Sequence, residues 1–287
     1  MEDCYADLNG IRLHYIKAGA GPLMIFLHGF PEFSYAWNAQ LREFAKDHLV
    51  VAPDMRGYNL SAKPAQVDQY AMPNLVGDIR ALADHLGYKK FVLVAHDWGG
   101  VVAWAFAIRF PELLSELISI NAPHPAVFAK LLRENADQQK ASSYIGAFQN
   151  PGVENYLAAD NFAALRQAMA GSAARPDVFS DPDWQAYTAA WSQPGALTGM
   201  LNYYRVPRAA IPDGANFKVT VPTLVLWGEK DHALNILNVD GLPAYVPNLT
   251  VQRFPSGTHW VVHEHPTEIN QAIREFLAFK TQNAAAR

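Results

Sequence analysis

The stretch Phe91-Val92-Leu93-Val94-Ala95-His96-Asp97-Trp98-Gly99-Gly100 decides the fold. Its first five residues form an apolar run of the length expected for a strand buried on both faces. A helical pattern comes next, over 99–110. Between strand and helix stands Asp97, with the small residues Ala95 and Gly99 two positions to either side. A sharp strand-to-helix turn holds its central residue in a strained conformation and needs small neighbours. Aspartate before a helix is most often a cap. The turn alone therefore leaves two readings open, a capping carboxylate or a nucleophile presented at the end of a strand.

Similar apolar runs recur at 23–27, 49–52, 117–120, 223–227 and 249–254, each read as a buried strand. Helical patterns lie between them at 37–45, 74–86 and 266–281. Residues 11–17 alternate apolar and polar and end at Gly19-Ala20-Gly21-Pro22, which reads as an antiparallel edge strand. The alternation predicts an α/β fold, a mostly parallel central sheet flanked by helices. From 123 to 210 no strand pattern is present, and the segment is too long for a loop. It reads as an inserted helical cap above the carboxyl ends of the strands, where such folds bind ligands. The division is a core of residues 1–123 and 211–287 and a cap of 124–210.

Composition narrows the function. The chain has 287 residues, half of them apolar and 17% charged, which excludes a disordered, collagen-like or coiled-coil chain. A net charge of −4 gives no attraction to nucleic acid or to an anionic membrane. Cys4 is the single cysteine, so an intrachain disulfide and a cysteine-based metal site are excluded. Residues 1–7 have neither the basic nor the apolar region of a signal peptide, and no apolar run approaches the ~18–20 residues of a membrane span. A cytoplasmic protein is expected. Aromatic residues reach 12%, and five of the twelve tyrosines (144, 156, 187, 203 and 204) fall in the insertion.

Two further positions favour the nucleophile. Gly228-Glu229-Lys230-Asp231 directly follows the run at 223–227, and Gly257-Thr258-His259-Trp260 follows the run at 249–254. The chain order Asp97, Asp231, His259 is that of nucleophile, acid and histidine in the α/β-hydrolase fold. The alternative acid position, after 117–120, holds Asn121, which favours Asp231. His263 and His265 are rivals of His259 but stand on the run-in to the last helix.

The chain resembles the α/β-hydrolases of the epoxide hydrolase group, close kin of haloalkane dehalogenases. The resemblance covers almost the whole chain. It rests on His28-Gly29-Phe30-Pro31-Glu32, Pro53-Asp54-Met55-Arg56-Gly57-Tyr58, His96-Asp97-Trp98-Gly99-Gly100, Asn121-Ala122-Pro123-His124-Pro125, Gly228-Glu229-Lys230-Asp231 and Gly257-Thr258-His259-Trp260. A carboxylate nucleophile is suited to a saturated carbon bearing a leaving group, where it forms a stable ester. Water activated by His259, with Asp231 orienting the imidazole, would then cleave that ester. The backbone N–H groups of Phe30 and Trp98, in the loop His28–Pro31 and the elbow, would hold the oxyanion.

Epoxide opening and halide release differ in what the leaving group needs. An alkoxide needs a proton or strong hydrogen bonds, which phenols supply from an apolar pocket. Ser142-Ser143-Tyr144-Ile145-Gly146-Ala147-Phe148-Gln149 is similar to the first cap-tyrosine segment of soluble epoxide hydrolases, and Leu201-Asn202-Tyr203-Tyr204-Arg205 to the second. The resemblance thus implies Tyr144 and Tyr204 as donors, and leaves Tyr156, Tyr187 and Tyr203 as cap core. Many haloalkane dehalogenases have Asn where this chain has Phe30, although Trp98 with Trp184 or Trp191 could hold a halide. An esterase would favour Ser at position 97. Two departures stand out. Asn59 replaces the usual glycine after Arg56-Gly57-Tyr58, and Thr258 separates Gly257 from His259, so the loop of the base is expected to be shaped differently. The expected partners are a small apolar epoxide and water, with no metal or organic cofactor, no nucleic acid and no membrane. A homodimer is permitted.

Overall fold

The computed structural model describes residues 1–207 and 216–285. Eight strands form one sheet among the described residues: β1 (Glu2–Leu8), β2 (Ile11–Ala18), β3 (Leu23–Leu27), β4 (Leu49–Pro53), β5 (Phe91–His96), β6 (Leu114–Ile120), β7 (Thr223–Gly228) and β8 (Leu249–Phe254). Their spatial order is β1-β2-β4-β3-β5-β6-β7-β8. The pairs β1–β2 and β2–β4 are antiparallel, and all other pairs are parallel. The α/β-hydrolase expectation of a mostly parallel sheet flanked by helices is what the chain builds.

Helices α1 (Asn38–Phe44), α2 (Met72–His85) and α3 (Asp97–Arg109) connect the first strands. The central runs are apolar on both faces because helices cover both. On one face Met24, Phe26, Val50, Val92, Val94, Ile118 and Leu226 pack with Trp37, Leu41 and Phe44 of the α1 region. On the other, Ile25, Leu27, Val51, Leu93, Ala95 and Trp227 pack with Leu75, Ile79, Val102 and Phe106 of α2 and α3. Neighbours in one strand divide between the faces, as the two-residue pleat requires.

Between β6 and β7 come α4 (Pro125–Glu134), α5 (Ala136–Ala141), α6 (Tyr144–Ala147), α7 (Val153–Ser172), α8 (Asp181–Trp191) and α9 (Ala196–Arg205). This is the helical insertion read from 123–210; its far boundary, near 210, lies outside the described residues. The α7 rod is broken at Ala159–Phe162, where Asp160, Asn161 and Phe162 take left-handed φ values of 49°, 56° and 61°. Short helices α10 (Leu237–Asp240) and α11 (Val261–Glu264) precede the closing helix α12 (Pro266–Ala285), whose Ile269, Ile273 and Phe276 join the α1 face.

Two strand expectations change. β2 is antiparallel but is not an edge, because β1 pairs along its whole length from Glu2–Lys17 to Leu8–Ile11. The charged residues Glu2, Asp3 and Asp7 hide β1 from a hydrophobicity reading, although Ala6 and Leu8 point into the core. Conversely, β8 is an edge rather than a strand buried on both faces, with only Phe254 buried. Its polar residues Thr250, Gln252 and Arg253 suit that position. Finally, Asn59 does adopt the left-handed conformation in place of glycine, with φ 38°, while its side chain donates to Asp54 Oδ2 at 2.8 Å.

Candidate active site

Asp97 opens α3 with φ +50°, a left-handed conformation that is costly for any residue other than glycine. The turn closes only because its neighbours lack side chains. A Cβ on Gly29 would overlap the Asp97 side chain, and one on Gly99 would overlap the Leu27 carbonyl. The small-residue signature around the elbow therefore has a steric cause.

The Phe30 backbone N–H donates to Asp97 Oδ1 at 2.8 Å. His259 Nε2 stands 3.5 Å from Asp97 Oδ2, and His259 Nδ1 donates to Asp231 Oδ2 at 2.7 Å. Asp231 is fully enclosed by donors. Its Oδ1 accepts from the N–H groups of Ala233 (2.8 Å) and Leu234 (3.0 Å), and its Oδ2 also accepts from Asn121 Nδ2 at 2.8 Å. Asn121 is itself locked, since its Oδ1 accepts from the Gly228 N–H at 2.8 Å. The residue at the alternative acid position thus serves to hold Asp231.

Burial disfavours charge on all three groups, and their mutual attraction overcomes it. Asp97 and Asp231 are both held below the usual carboxylate range, in each case mainly through His259. Burial pulls His259 down, but Asp231 and Asp97 lift it well above the ordinary histidine value. A carboxylate, an imidazole and an orienting acid in this order can carry out nucleophilic attack followed by general-base hydrolysis.

Above Asp97 lies a cage of rings. Tyr204 meets Phe30 edge-on at 5.3 Å and Trp98 at 5.1 Å. Tyr144 lies 6.0 Å from Tyr204, and Phe148 packs on Phe30, Tyr144 and Tyr204 at 5.0–5.6 Å. Burial first, and then Tyr144 and Asp97, push the Tyr204 phenol well above its usual value, so it stays a donor. Its neighbour Tyr203 points elsewhere and donates to the Arg56 carbonyl at 2.8 Å. Tyr187 is buried, as expected of cap core, whereas Tyr156 is 68% exposed and is not. His124 donates to the Phe217 carbonyl from a buried position at the foot of the insertion.

The polar groups of His28 and Pro31 are taken up by other partners. Both ring nitrogens of His28 serve backbone, Nδ1 toward the Gly29 carbonyl at 3.0 Å and Nε2 accepting from the Met55 N–H at 2.9 Å. The Pro31 carbonyl accepts from Trp191 Nε1 at 2.6 Å. That bond occupies the indole N–H of Trp191, one of the two cap tryptophans weighed as halide donors with Trp98.

The sequence reading missed Glu32. Its carboxylate is buried and accepts from Tyr187 O–H at 2.7 Å and His263 Nε2 at 2.6 Å, with His96 Nδ1 at 3.4 Å. Asp183, Tyr187 and Trp191, on one stripe of α8, bond to Tyr35, Glu32 and Pro31, fastening the insertion to the loop that carries Phe30. The two tyrosine segments are tied likewise. Gln149 Nε2 donates to the Tyr204 carbonyl at 2.5 Å, and Arg205 bonds to the Phe148 carbonyl and to both oxygens of Glu154. A glutamate following proline, or a glutamine in a short turn, gives no local signal of such use.

Among the described residues no group of three His, Cys, Asp or Glu is placed to hold a metal ion, and no helix is long and apolar enough to cross a membrane.

The sheet order and the strand-end placement of Asp97, Asp231 and His259 define an α/β-hydrolase. A sequence model of the alpha/beta hydrolase fold matches residues 22–266, and the chain belongs to that family. Its relatives lie in the epoxide hydrolase group. The chain is 39% identical to mouse epoxide hydrolase 4, over 97% of this chain and 80% of that protein. It is 40% identical to epoxide hydrolase 1 of Caenorhabditis elegans, over 95% and 69%. The crystal structure of Bacillus megaterium epoxide hydrolase in complex with an inhibitor superposes with a TM-score of 0.90 at 40% identity, covering 96% of this chain and all of that one.

Proposed function

We propose that the protein is an epoxide hydrolase that converts an epoxide to a vicinal diol through an ester on Asp97. Tyr204 carries the reading, as a buried neutral phenol against the two residues that flank the nucleophile, Phe30 and Trp98. The names of the relatives point the same way.

In the first step Asp97 Oδ2 attacks a ring carbon. The C–O bond breaks, its electron pair stays on the ring oxygen, and that oxygen takes a proton from Tyr144 or Tyr204. Oδ1 is the oxygen bound by the Phe30 N–H, so it is the one placed to become the oxyanion. In the second step His259 takes a proton from water, and the hydroxide adds to Asp97 Cγ. The Phe30 and Trp98 N–H groups hold the tetrahedral oxyanion, which collapses as its hydroxyl proton passes to the departing oxygen; the diol leaves, the carboxylate is restored, and the proton taken up by His259 returns to the tyrosinate.

The proton state of His259 fits this order. Two carboxylates raise it in the free enzyme, but esterification removes the charge of Asp97. His259 therefore gives up its proton more readily and is neutral, free to accept one from water, when the ester needs a base. Helices α4–α9 act as the cap domain over residues 124–210, and they supply both phenols. All of these groups come from one chain, so a homodimer would not be needed to complete the site. The lone Cys4 demands no oxidising compartment, in keeping with a cytoplasmic enzyme.

A haloalkane dehalogenase reading is less well supported, because position 30 is Phe and the Trp191 N–H is committed to the Pro31 carbonyl. The test is a side-by-side screen of styrene oxide, other epoxides and bromoalkanes with the wild type and with Asp97→Ala. Diol formation by the wild type alone is expected. Halide release with epoxides untouched, or full diol formation by Asp97→Ala, would overturn the proposal.

A further inference from the structure

The loop that carries His259 is braced from outside the core. Thr258, the residue that separates Gly257 from His259, gives both of its donors to Glu264 of α11: its N–H to Oε2 at 2.7 Å and its hydroxyl to Oε1 at 2.6 Å. The same Oε1 accepts from the N–H of Ala174 at 2.7 Å, and Ala174 lies just beyond the end of α7 in the cap. On the other side of His259, Trp260 Nε1 donates to Ser172 Oγ at 2.8 Å, and Ser172 is the last residue of α7. Both sequence neighbours of His259 are therefore tied to the end of α7 in the cap, Thr258 to Ala174 through the Glu264 carboxylate and Trp260 directly to Ser172.

The cap also meets this edge through Phe179, whose ring lies 5.7 Å from Trp260 and 5.0 Å from His263. A groove of about 490 Å³, lined by Ala173, Ala174, Asp231, Thr258 and others, opens between the cap and the acid loop. At the groove itself the hydrogen bonds of Ala174 and Ser172 span from the cap to the loop of His259. Within the core His259 has two anchors: Asp231 on Nδ1, and His96 Nε2 donating to its carbonyl at 2.8 Å. Neither hydrogen-bonds to the residues on its two flanks.

We infer that Glu264 and Ser172 are positioning residues for the base: through Thr258 and Trp260 they let the cap hold His259 in the geometry that activates water. The inference rests on the two-step epoxide hydrolase mechanism, in which only the second step uses His259 as a base. Loosening the brace should slow hydrolysis of the ester and leave alkylation of Asp97 alone, because the phenols and the nucleophile are held by other contacts. A general weakening of the fold would not divide the two steps in this way.

The experiment is single-turnover mixing of excess enzyme with styrene oxide, quenched in acid over time. Epoxide loss reports alkylation, diol gain reports hydrolysis, and the intact protein mass reports the ester. In Glu264→Gln, which keeps shape but turns an N–H toward the Thr258 N–H, hydrolysis is expected to fall at least tenfold, with alkylation within twofold of wild type and ester accumulating. Ser172→Ala lies farther from the chemistry and is expected to slow hydrolysis at least threefold with the same split. It carries the test should Glu264→Gln fail to fold. Equal loss in both steps, or hydrolysis at the wild-type rate, would overturn the inference while leaving the epoxide hydrolase reading intact. A wild type that forms neither ester nor diol would remove both.

Discussion

Asp231→Asn tests the site most sharply, because the structure dictates which way the new amide must turn. Four donors converge on the two oxygens of Asp231, and Asn offers only one acceptor. With its nitrogen in place of Oδ1, the N–H groups of both Ala233 and Leu234 lose their partner, at about 1–3 kcal/mol each. With its nitrogen in place of Oδ2, only the Asn121 amide is orphaned, because His259 can move its proton to Nε2 and accept at Nδ1. Asn121 cannot turn to relieve the clash while its Oδ1 holds the Gly228 N–H. The second orientation is favoured by about one orphaned donor, on the order of 1–3 kcal/mol. In it the proton sits on Nε2, the atom that should receive one from water. Hydrolysis of the ester is therefore expected to fall about 10³–10⁴-fold, the scale seen when the orienting acid of a triad becomes an amide. Alkylation should stay within about tenfold, since that step needs no neutral His259. Quenched single turnovers with styrene oxide, read by diol yield and protein mass, separate the two. A variant that hydrolyses its ester within tenfold of the wild-type rate would refute the tautomer argument and the role given to Asp231.

Two further outcomes are expected. Tyr204→Phe and Tyr144→Phe should each slow alkylation by about 10²-fold or more and leave ester hydrolysis near the wild-type rate; stopped-flow measurement of single turnovers checks this, and a wild-type alkylation rate in the double variant would remove the phenols from the mechanism. Glu32→Gln should cost about 3 kcal/mol, because it breaks a buried ion pair with His263 that also anchors Tyr187. That loss should depend on pH. The Glu32 carboxyl, although burial raises it, is held well below its ordinary 4.5 by His263, so its contribution is complete above that value and is lost as the pH falls through the lowered one. Burial lowers His263 and Glu32 raises it past its ordinary 6.5, so its contribution is complete below 6.5 and is lost as the pH rises through the raised value. The Tm difference between wild type and Glu32→Gln should therefore be widest between pH 4.5 and 6.5, and a flat difference from pH 4 to 9 would contradict the pairing.

Much of this site is legible in the linear chain because the fold makes it local. Asp97, Asp231 and His259 each stand just past the end of a parallel strand, and parallel strands bring those ends to one edge of the sheet. Locating each strand and the residues just beyond its end is then enough to gather side chains more than a hundred positions apart. The elbow is legible because its small residues Ala95 and Gly99 stand two positions from Asp97, although the group that Gly99 makes room for is the distant Leu27 carbonyl. The antiparallel margin reads less well: the acidic residues of β1 mask its pairing, and the polar face of β8 appears only once the strand is placed at the edge.

What the residues determine by themselves is the set and order of groups proposed for the chemistry, a carboxylate, a second acid and a histidine, each just past a strand of an α/β sheet. Tertiary structure alone decides which groups surround them. Tyr203 and Tyr204 are adjacent in sequence, yet about 100° apart around α9, and one serves the Arg56 carbonyl while the other joins the ring cage by Asp97. Glu32 becomes a buried anchor, and Thr258 a brace for the base, only because donors and acceptors from α8, α11 and the end of α7 arrive beside them. Hydrogen bonds act over about 3 Å and carry no trace of the 150 or more residues of chain between partners such as Glu32 and Tyr187.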